Sequence, residues 1–379
     1  MSSLSSLLEG YKALNRDRGQ EPAASSISKP EYFHPFYDTL KETHASVSTE
    51  TSISAAEQTY SSGLGILLLI IDDLPLEAFW RVWLEAYNES ATRGEVRLWV
   101  HAKHPERVRS QWVRDRFVKT FQLRPEWGSV EITSCMFKML KEAMTDAPDI
   151  AKFAFASESC LPIMPLGEVF DVIDVENKAC GENSSWVQYI NTPNNGYARQ
   201  QQWDALHHRL PEQCIYKADQ WVLLSRAHAQ AVIDLDQKCE ETTNKPLIDV
   251  FRKVRASDEM FFPCCLAVLG AISKGEVCKK RLAYCDWSVS VKNPKTYTTL
   301  EPQALAEASS QRSVFIRKVK IDVGSGEQRQ AMLAWPGVRG VGSEERVDAV
   351  LRAVAADRGV TRRPLHRSED ESHKRSRLS

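Results

Sequence analysis

Gly65-Ile66-Leu67-Leu68-Leu69-Ile70-Ile71, closed by Asp72-Asp73 and Leu74-Pro75, is the stretch that decides the fold. An apolar run of strand length, bounded by turn residues, has no polar face to offer solvent. It reads as a strand covered on both sides, as in a parallel sheet. Next, Leu76, Phe79, Trp80, Trp83, Leu84 and Tyr87 stand at helical spacing, and Val96-Arg97-Leu98-Trp99-Val100-His101 is a second strand. That β-α-β order requires a right-handed crossover and predicts an open, mostly parallel α/β sheet flanked by helices.

Working outward, the spacing predicts a helix around Ser134 to Met144, a strand over Phe153 to Ala156 and a helix over Leu166 to Ile173. Ligands of open α/β sheets bind at the carboxyl ends of the strands, which sets Asp72, Asp73, His101 and Ser157 to Ser159 along one rim. Gly181 to Leu210 is polar and irregular, and Gln220 to Ile233 turns helical after an alternating start. Ser257 to Leu269 is predicted as a helix, with Ser257 as N-cap and Asp258 and Glu259 in the first turn. Leu282 to Trp287 reads as a strand and Ser343 to Ala356 as an amphipathic helix. The expected organisation is a mobile leader over 1–60 with one docking point at His34-Pro35-Phe36-Tyr37, one large domain over 61–335, and a C-terminal helix with a basic disordered tail over 336–379.

The chain has 379 residues, 42% hydrophobic and 26% charged, a globular balance. With 49 Lys+Arg against 50 Asp+Glu, the formal net charge of -1 argues against nucleic acid as a partner, which requires a basic face. The longest apolar run is far shorter than the about 20 residues of a membrane-crossing helix. Met1 to Gln20 offers no apolar core of signal-peptide type. The expectation is therefore no transmembrane segment in this chain, and a cytoplasmic setting if its start is complete. Nine cysteines without a Cys-x-x-Cys spacing argue against a zinc site.

Three stretches carry candidate chemistry. Asp72-Asp73 is either a carboxylate pair for a divalent metal or the cap of the helix that begins near Pro75. Ser157 and Glu158, directly after a buried strand, either satisfy a local turn or contact a sugar or nucleotide. Asp258-Glu259, beside apolar Met260-Phe261-Phe262, is either a helix cap or a carboxylate tuned as general base.

Six blocks in one order resemble the core-2/I-branching β-1,6-N-acetylglucosaminyltransferases of glycosyltransferase family 14, above all the plant-type branch. They are Trp127-Gly128-Ser129, Phe155-Ala156-Ser157-Glu158-Ser159-Cys160-Leu161-Pro162, Lys217-Ala218-Asp219-Gln220-Trp221, Asp258-Glu259-Met260-Phe261-Phe262-Pro263, Cys285-Asp286-Trp287-Ser288 with Pro294 and Tyr297, and Phe315-Ile316-Arg317-Lys318. The resemblance implies a GT-A-like, Rossmann-like fold and inversion at the anomeric carbon. It implies that Glu259 is the catalytic base, and that Lys318, with Arg317, holds the donor diphosphate in place of a metal. Ser157 and Glu158 fall on the donor side; Trp287, Asp258, Lys217 and Trp221 fall on the acceptor side.

The implied partners are a UDP-sugar donor and a glycan acceptor, with no metal cofactor. N-acetylglucosamine is the first expectation for the sugar, with UDP-glucuronic acid or UDP-xylose as the alternatives. A non-catalytic glycan- or nucleotide-binding protein on the same fold is the rival function. The resemblance also implies the Golgi or secretory lumen, where an N-terminal anchor is usual. Two departures stand out. Met260 replaces the usual His or Tyr, implying a changed acceptor side, and only Lys292 and Lys295 offer themselves as a second diphosphate-binding residue. Lys217 has an alternative as a surface lysine ahead of a buried strand.

Overall fold

The computed structural model describes residues 36–49, 63–88, 93–191, 199–290, 293–321, 326–338 and 344–359. Eleven strands lie among them: β1 (Gly63–Ile70), β2 (Val96–Ala102), β3 (Ile150–Ser157), β4 (Leu161–Pro162), β5 (Ser185–Trp186), β6 (Tyr189–Ile190), β7 (Lys217–Ala218), β8 (Leu223–Ser225), β9 (Val277–Cys278), β10 (Ala283–Cys285) and β11 (Phe315–Arg317). The helices are α1 (Phe36–Thr49), α2 (Glu77–Asn88), α3 (Gln111–Arg114), α4 (Val130–Asp146), α5 (Leu166–Cys180), α6 (Arg199–Leu206), α7 (Arg226–Thr243), α8 (Phe261–Val268), α9 (Pro302–Ser310), α10 (Gly326–Leu333) and α11 (Glu344–Asp357).

The main sheet has the order β2-β1-β3-β8-β5-β9. β1 runs parallel to β2 and β3, β8 is antiparallel to β3 and β5, and β9 is parallel to β5. One reversed strand in an otherwise parallel sheet, with helices around it, is the α/β class expected from the apolar run. Register sets Leu69 opposite both His101 and Ser157, so the three carboxyl ends share one rim. A second sheet, β10-β11-β4, pairs β11 parallel to β10 and antiparallel to β4. Because β4 follows β3 after one turn, this pairing brings Arg317 and Lys318 to the rim.

Trp80 and Trp83 of α2 lie 5.6 Å and 6.2 Å from the Phe315 ring and fasten the second sheet to the main core. Among the described residues, no helix is long and apolar enough to cross a membrane.

Two parts of the sequence reading need correction. Within the expected mobile leader, Phe36 to Thr49 is a helix whose Phe36 and Leu40 are fully buried, and it packs on α7 and α8. The rest of the leader, and the tail beyond 359, lie outside the described residues. The second correction concerns Ser257 to Leu269. Ser257–Glu259 is a 3₁₀ turn and the α-helix begins only at Phe261. Ser257 caps nothing: its hydroxyl lies 2.6 Å from Thr133 Oγ1.

Candidate active site

Asp258 and Glu259 sit in a turn built by three other segments. Ala256, which opens it, takes a left-handed conformation (φ 50°), and its N–H donates to the Gly128 carbonyl at 2.9 Å. Gly128 itself has φ +73°, a region that favours glycine, so the Trp127-Gly128 block is shaped to buttress this turn. From α4, Thr133 holds Ser257, and from α6 the Gln202 amide donates to the Arg255 carbonyl at 2.8 Å. Trp127 is 72% exposed, with the Arg255 guanidinium 5.3 Å from its ring centre.

Lys217 Nζ lies 2.7 Å from Glu259 Oε2. Lys217 is buried in β7, which overturns its surface alternative. Glu259 keeps 33% of its side chain exposed. Asp258 is buried, and its Oδ1 has no hydrogen-bond partner among the described residues. Burial, reinforced by the neighbouring Glu259 charge, pushes the Asp258 carboxyl up to about 7 against the pull of Lys217 and Arg317.

Arg317 stands at the centre of the cluster. Its guanidinium lies 5.1 Å from the ring centre of Trp221, a cation–π contact, and its charge acts on Asp258, Asp219 and Glu158. Burial raises the Glu158 carboxyl, while Arg317 and Lys318 draw it back down. Lys318 is half-buried, and burial together with Arg317 lowers its ammonium. The Val319 N–H donates to the Ser159 carbonyl at 2.9 Å, so the Arg-Lys block is stitched to the turn after β3. The Ser157 hydroxyl points along that turn, 3.1 Å from Ser159 Oγ.

Glu259, Asp258, Lys217, Trp221, Arg317, Lys318 and Glu158 are thus brought together by contact or charge. Trp221 is buried with Arg317 against its ring, so what it touches is that cation. Trp287, 45% exposed, lies two residues beyond β10, the strand that pairs Cys285 with Arg317. Met260, which stands where His or Tyr is usual, is fully buried in the core.

The other expected residues find their contacts outside this cluster, although the Asp72 charge still acts on Glu158. Asp72 faces Arg107 at 3.2 Å; Asp73 faces Arg109 at 3.4 Å and accepts from its neighbour Leu74 N–H at 3.1 Å. Since α2 begins only at Glu77, Asp73 caps no helix. His101 is buried, stacked on Phe121 at 5.3 Å and kept neutral by a pKa lowered to about 4 through burial. Lys295 is tied to Glu301 at 2.6 Å, and Lys292 lies outside the described residues.

Three participants escaped the sequence reading: Gln202, Asp219 and Arg281. Asp219 stands inside the quoted Lys-Ala-Asp-Gln-Trp block, and Arg281 meets it at 3.0 Å. Arg281 also lines a cavity of about 450 Å³ with Lys279, Lys280, Gln188, Gln311 and Glu176. Only the run Lys279-Lys280-Arg281 could have signalled it.

The sequence model of the family described as Core-2/I-Branching enzyme matches residues 70–311, more than half of the chain. Arg317 and Lys318 follow just after that span. The chain is similar to Glycosyltransferase BC10 of Oryza sativa subsp. japonica, 23% identical over 183 residues, which are 47% of this chain and 42% of that protein. It therefore spans less than half the length of that relative.

Among solved structures it resembles the galactosyltransferase LgtC in complex with donor and acceptor sugar analogs (12% identity, 76% of this chain, 96% of that chain, TM-score 0.28). It also resembles the apo form of the bifunctional glycosyltransferase WbbM (11% identity, 80% of this chain, 54% of that chain, TM-score 0.34). Those scores are too low to carry an argument, and the family assignment rests on the sequence match and its agreement with the observed fold. The chain belongs to the core-2/I-branching enzyme family.

Proposed function

We propose that this chain is an inverting glycosyltransferase that moves a sugar, with N-acetylglucosamine as the first candidate, from a UDP-sugar to a hydroxyl of an acceptor glycan. The acceptor oxygen attacks the anomeric carbon while the bond from that carbon to the diphosphate breaks. The proton passes to the Glu259 carboxylate and the electron pair leaves with UDP. Lys217 holds the base in place. Arg317 and Lys318 offset the charge that develops on the departing diphosphate, the role a divalent ion plays in other transferases. Trp287, exposed at the end of β10, offers a flat apolar face for an acceptor sugar ring. The Cys180–Cys278 disulfide supports a secretory-lumen setting.

One observation carries this reading: a carboxylate one-third exposed and paired with a buried lysine stands in the same cluster as the Arg317-Lys318 cations. A base and a leaving-group clamp held together are what a direct displacement at a sugar carbon requires.

The test has two parts. Calorimetric titration with UDP and UDP-N-acetylglucosamine, with and without EDTA, should show binding that survives the chelator and is lost in Lys318→Ala. Turnover of UDP-N-acetylglucosamine, UDP-glucuronic acid and UDP-xylose with an acceptor panel should fall at least about 100-fold in Glu259→Gln, while UDP affinity stays within about twofold. Full transfer in that variant sinks the base assignment. UDP binding without transfer or donor hydrolysis from any of the three would return the non-catalytic alternative.

A further inference from the structure

Gln202 of α6 is fully buried, and every polar atom of its side chain is engaged at the candidate base. Its Nε2 donates to the Arg255 carbonyl at 2.8 Å and reaches the Ala256 carbonyl at 3.5 Å. Its Oε1 accepts from Lys217 Nζ at 3.2 Å. These partners fix which way the amide faces: reversing it would set its NH₂ against the Lys217 ammonium and its oxygen against two carbonyl oxygens.

Lys217 and the Asp258-Glu259 turn come from different segments, β7 and the 3₁₀ turn before α8. Gln202, from a third, is hydrogen-bonded to both. The carbonyls it holds flank the left-handed residue Ala256, whose conformation sets the direction in which Glu259 leaves the backbone.

We propose that Gln202 is a positioning residue for the reaction: through Lys217 and the Arg255-Ala256 carbonyls it fixes the Glu259 carboxylate relative to the acceptor oxygen. The inference rests on the reading of Glu259 as the base. Gln202 touches no reacting atom. It sets the distance and angle at which the proton is taken, and a base misplaced by about 1 Å loses on the order of 100-fold in rate.

The experiment is steady-state UDP release from whichever of the three UDP-sugars turns over, with calorimetric UDP binding as the control. Gln202→Met is expected to lower kcat at least about tenfold while donor KM and UDP affinity stay within about twofold. In a Lys217→Met background the same change is expected to cost several-fold less than in the parent, because the ammonium that the amide places is already gone and only its hold on the two carbonyls remains to be lost.

A residue that only filled space would instead multiply its loss in both backgrounds, and that result overturns the proposal. So does a Gln202→Met chain with kcat within twofold of the parent. Should Gln202→Met fail to fold, Gln202→Glu keeps the volume, sets an oxygen against the two carbonyls and draws Lys217 from Glu259. It is expected to lose kcat with UDP binding intact, and full activity overturns the proposal. A silent Gln202→Met beside an inactive Glu259→Gln removes this inference alone. An active Glu259→Gln removes the reading beneath it as well.

Discussion

At the scale of single residues, Asp258 is where function and stability pull apart. A carboxyl with an ordinary pKa near 3.9 in the unfolded chain stands at about 7 in the folded one, driven up by burial and then by Glu259. Between those values the folded state holds a proton that the unfolded state has lost, so stability falls as pH rises from about 4 to 7 and then levels off. Asp258→Asn, neutral at every pH, lacks this fall. Urea unfolding at pH 5 and pH 8 should show the parent losing on the order of 3 kcal/mol more than the variant across that interval. Parallel losses would mean that Asp258 is charged in the folded chain.

The residue scale also shows what the sequence could and could not tell. The block around Asp258-Glu259 was legible as chemistry, because two carboxylates ahead of an apolar run are informative wherever they fold. Gln202 was not, since one amide in Arg-Gln-Gln-Gln-Trp has no pattern to separate it from its neighbours until the fold buries it.

At the scale of elements, β1 is the part most fully written in the sequence, and Gly65 shows how tightly. A Cβ added there would come 2.8 Å from Phe153 Cδ1 and 3.1 Å from Trp99 Cζ3, both rings buried in the sheet and its cover. Neither ring has room to retreat in a packed core. Gly65→Ala should therefore cost about 1–3 kcal/mol of overpacking, more than the about 0.5–1 kcal/mol gained by restraining the unfolded chain. The readout is a melting temperature several degrees below the parent; an equal or higher value would show that the rings can move.

Elements with weaker patterns were harder to read. In α1 the buried positions Phe36, Thr39, Leu40 and Thr43 follow helical spacing, but half of them are threonines. Those threonines are buried because they bond across to α7: Thr39 Oγ1 lies 3.1 Å from Thr242 Oγ1, and Lys238 donates to Thr43 Oγ1 at 2.9 Å. A hydrophobic pattern cannot register such a face. α8 fails for the opposite reason: from Phe261 to Val268 every side chain is buried, so no periodicity marks where the helix starts.

At the scale of the whole molecule, the six sequence blocks lie on separate elements and are gathered by pairings no linear reading contains, above all β11 against β4. The same gathering joins the far end of the body to its beginning. Glu77, at the start of α2 and fully buried, receives Arg81 Nε at 2.8 Å, the Ser110 hydroxyl at 2.6 Å and Arg358 Nη2 at 3.0 Å. Arg358, just past α11, also donates to the Leu74 carbonyl at 2.7 Å, and Asp357 pairs with Arg81. A buried carboxylate shared between two guanidiniums is costly to strip of either one, because the remaining charges have no water to turn to. Removing one partner of a buried pair costs about 3–5 kcal/mol. Since Arg81 stays in place, Arg358→Met belongs at the lower end, about 3 kcal/mol. Because α11 packs directly on α2, the loss should move one cooperative transition rather than release the C-terminal helix by itself. Thermal unfolding followed by far-UV and near-UV circular dichroism decides between the two. Coincident curves shifted to lower temperature support a single unit closed by Arg358. An early far-UV step with the near-UV transition unmoved would make α11 an appendage that the α/β body does not need.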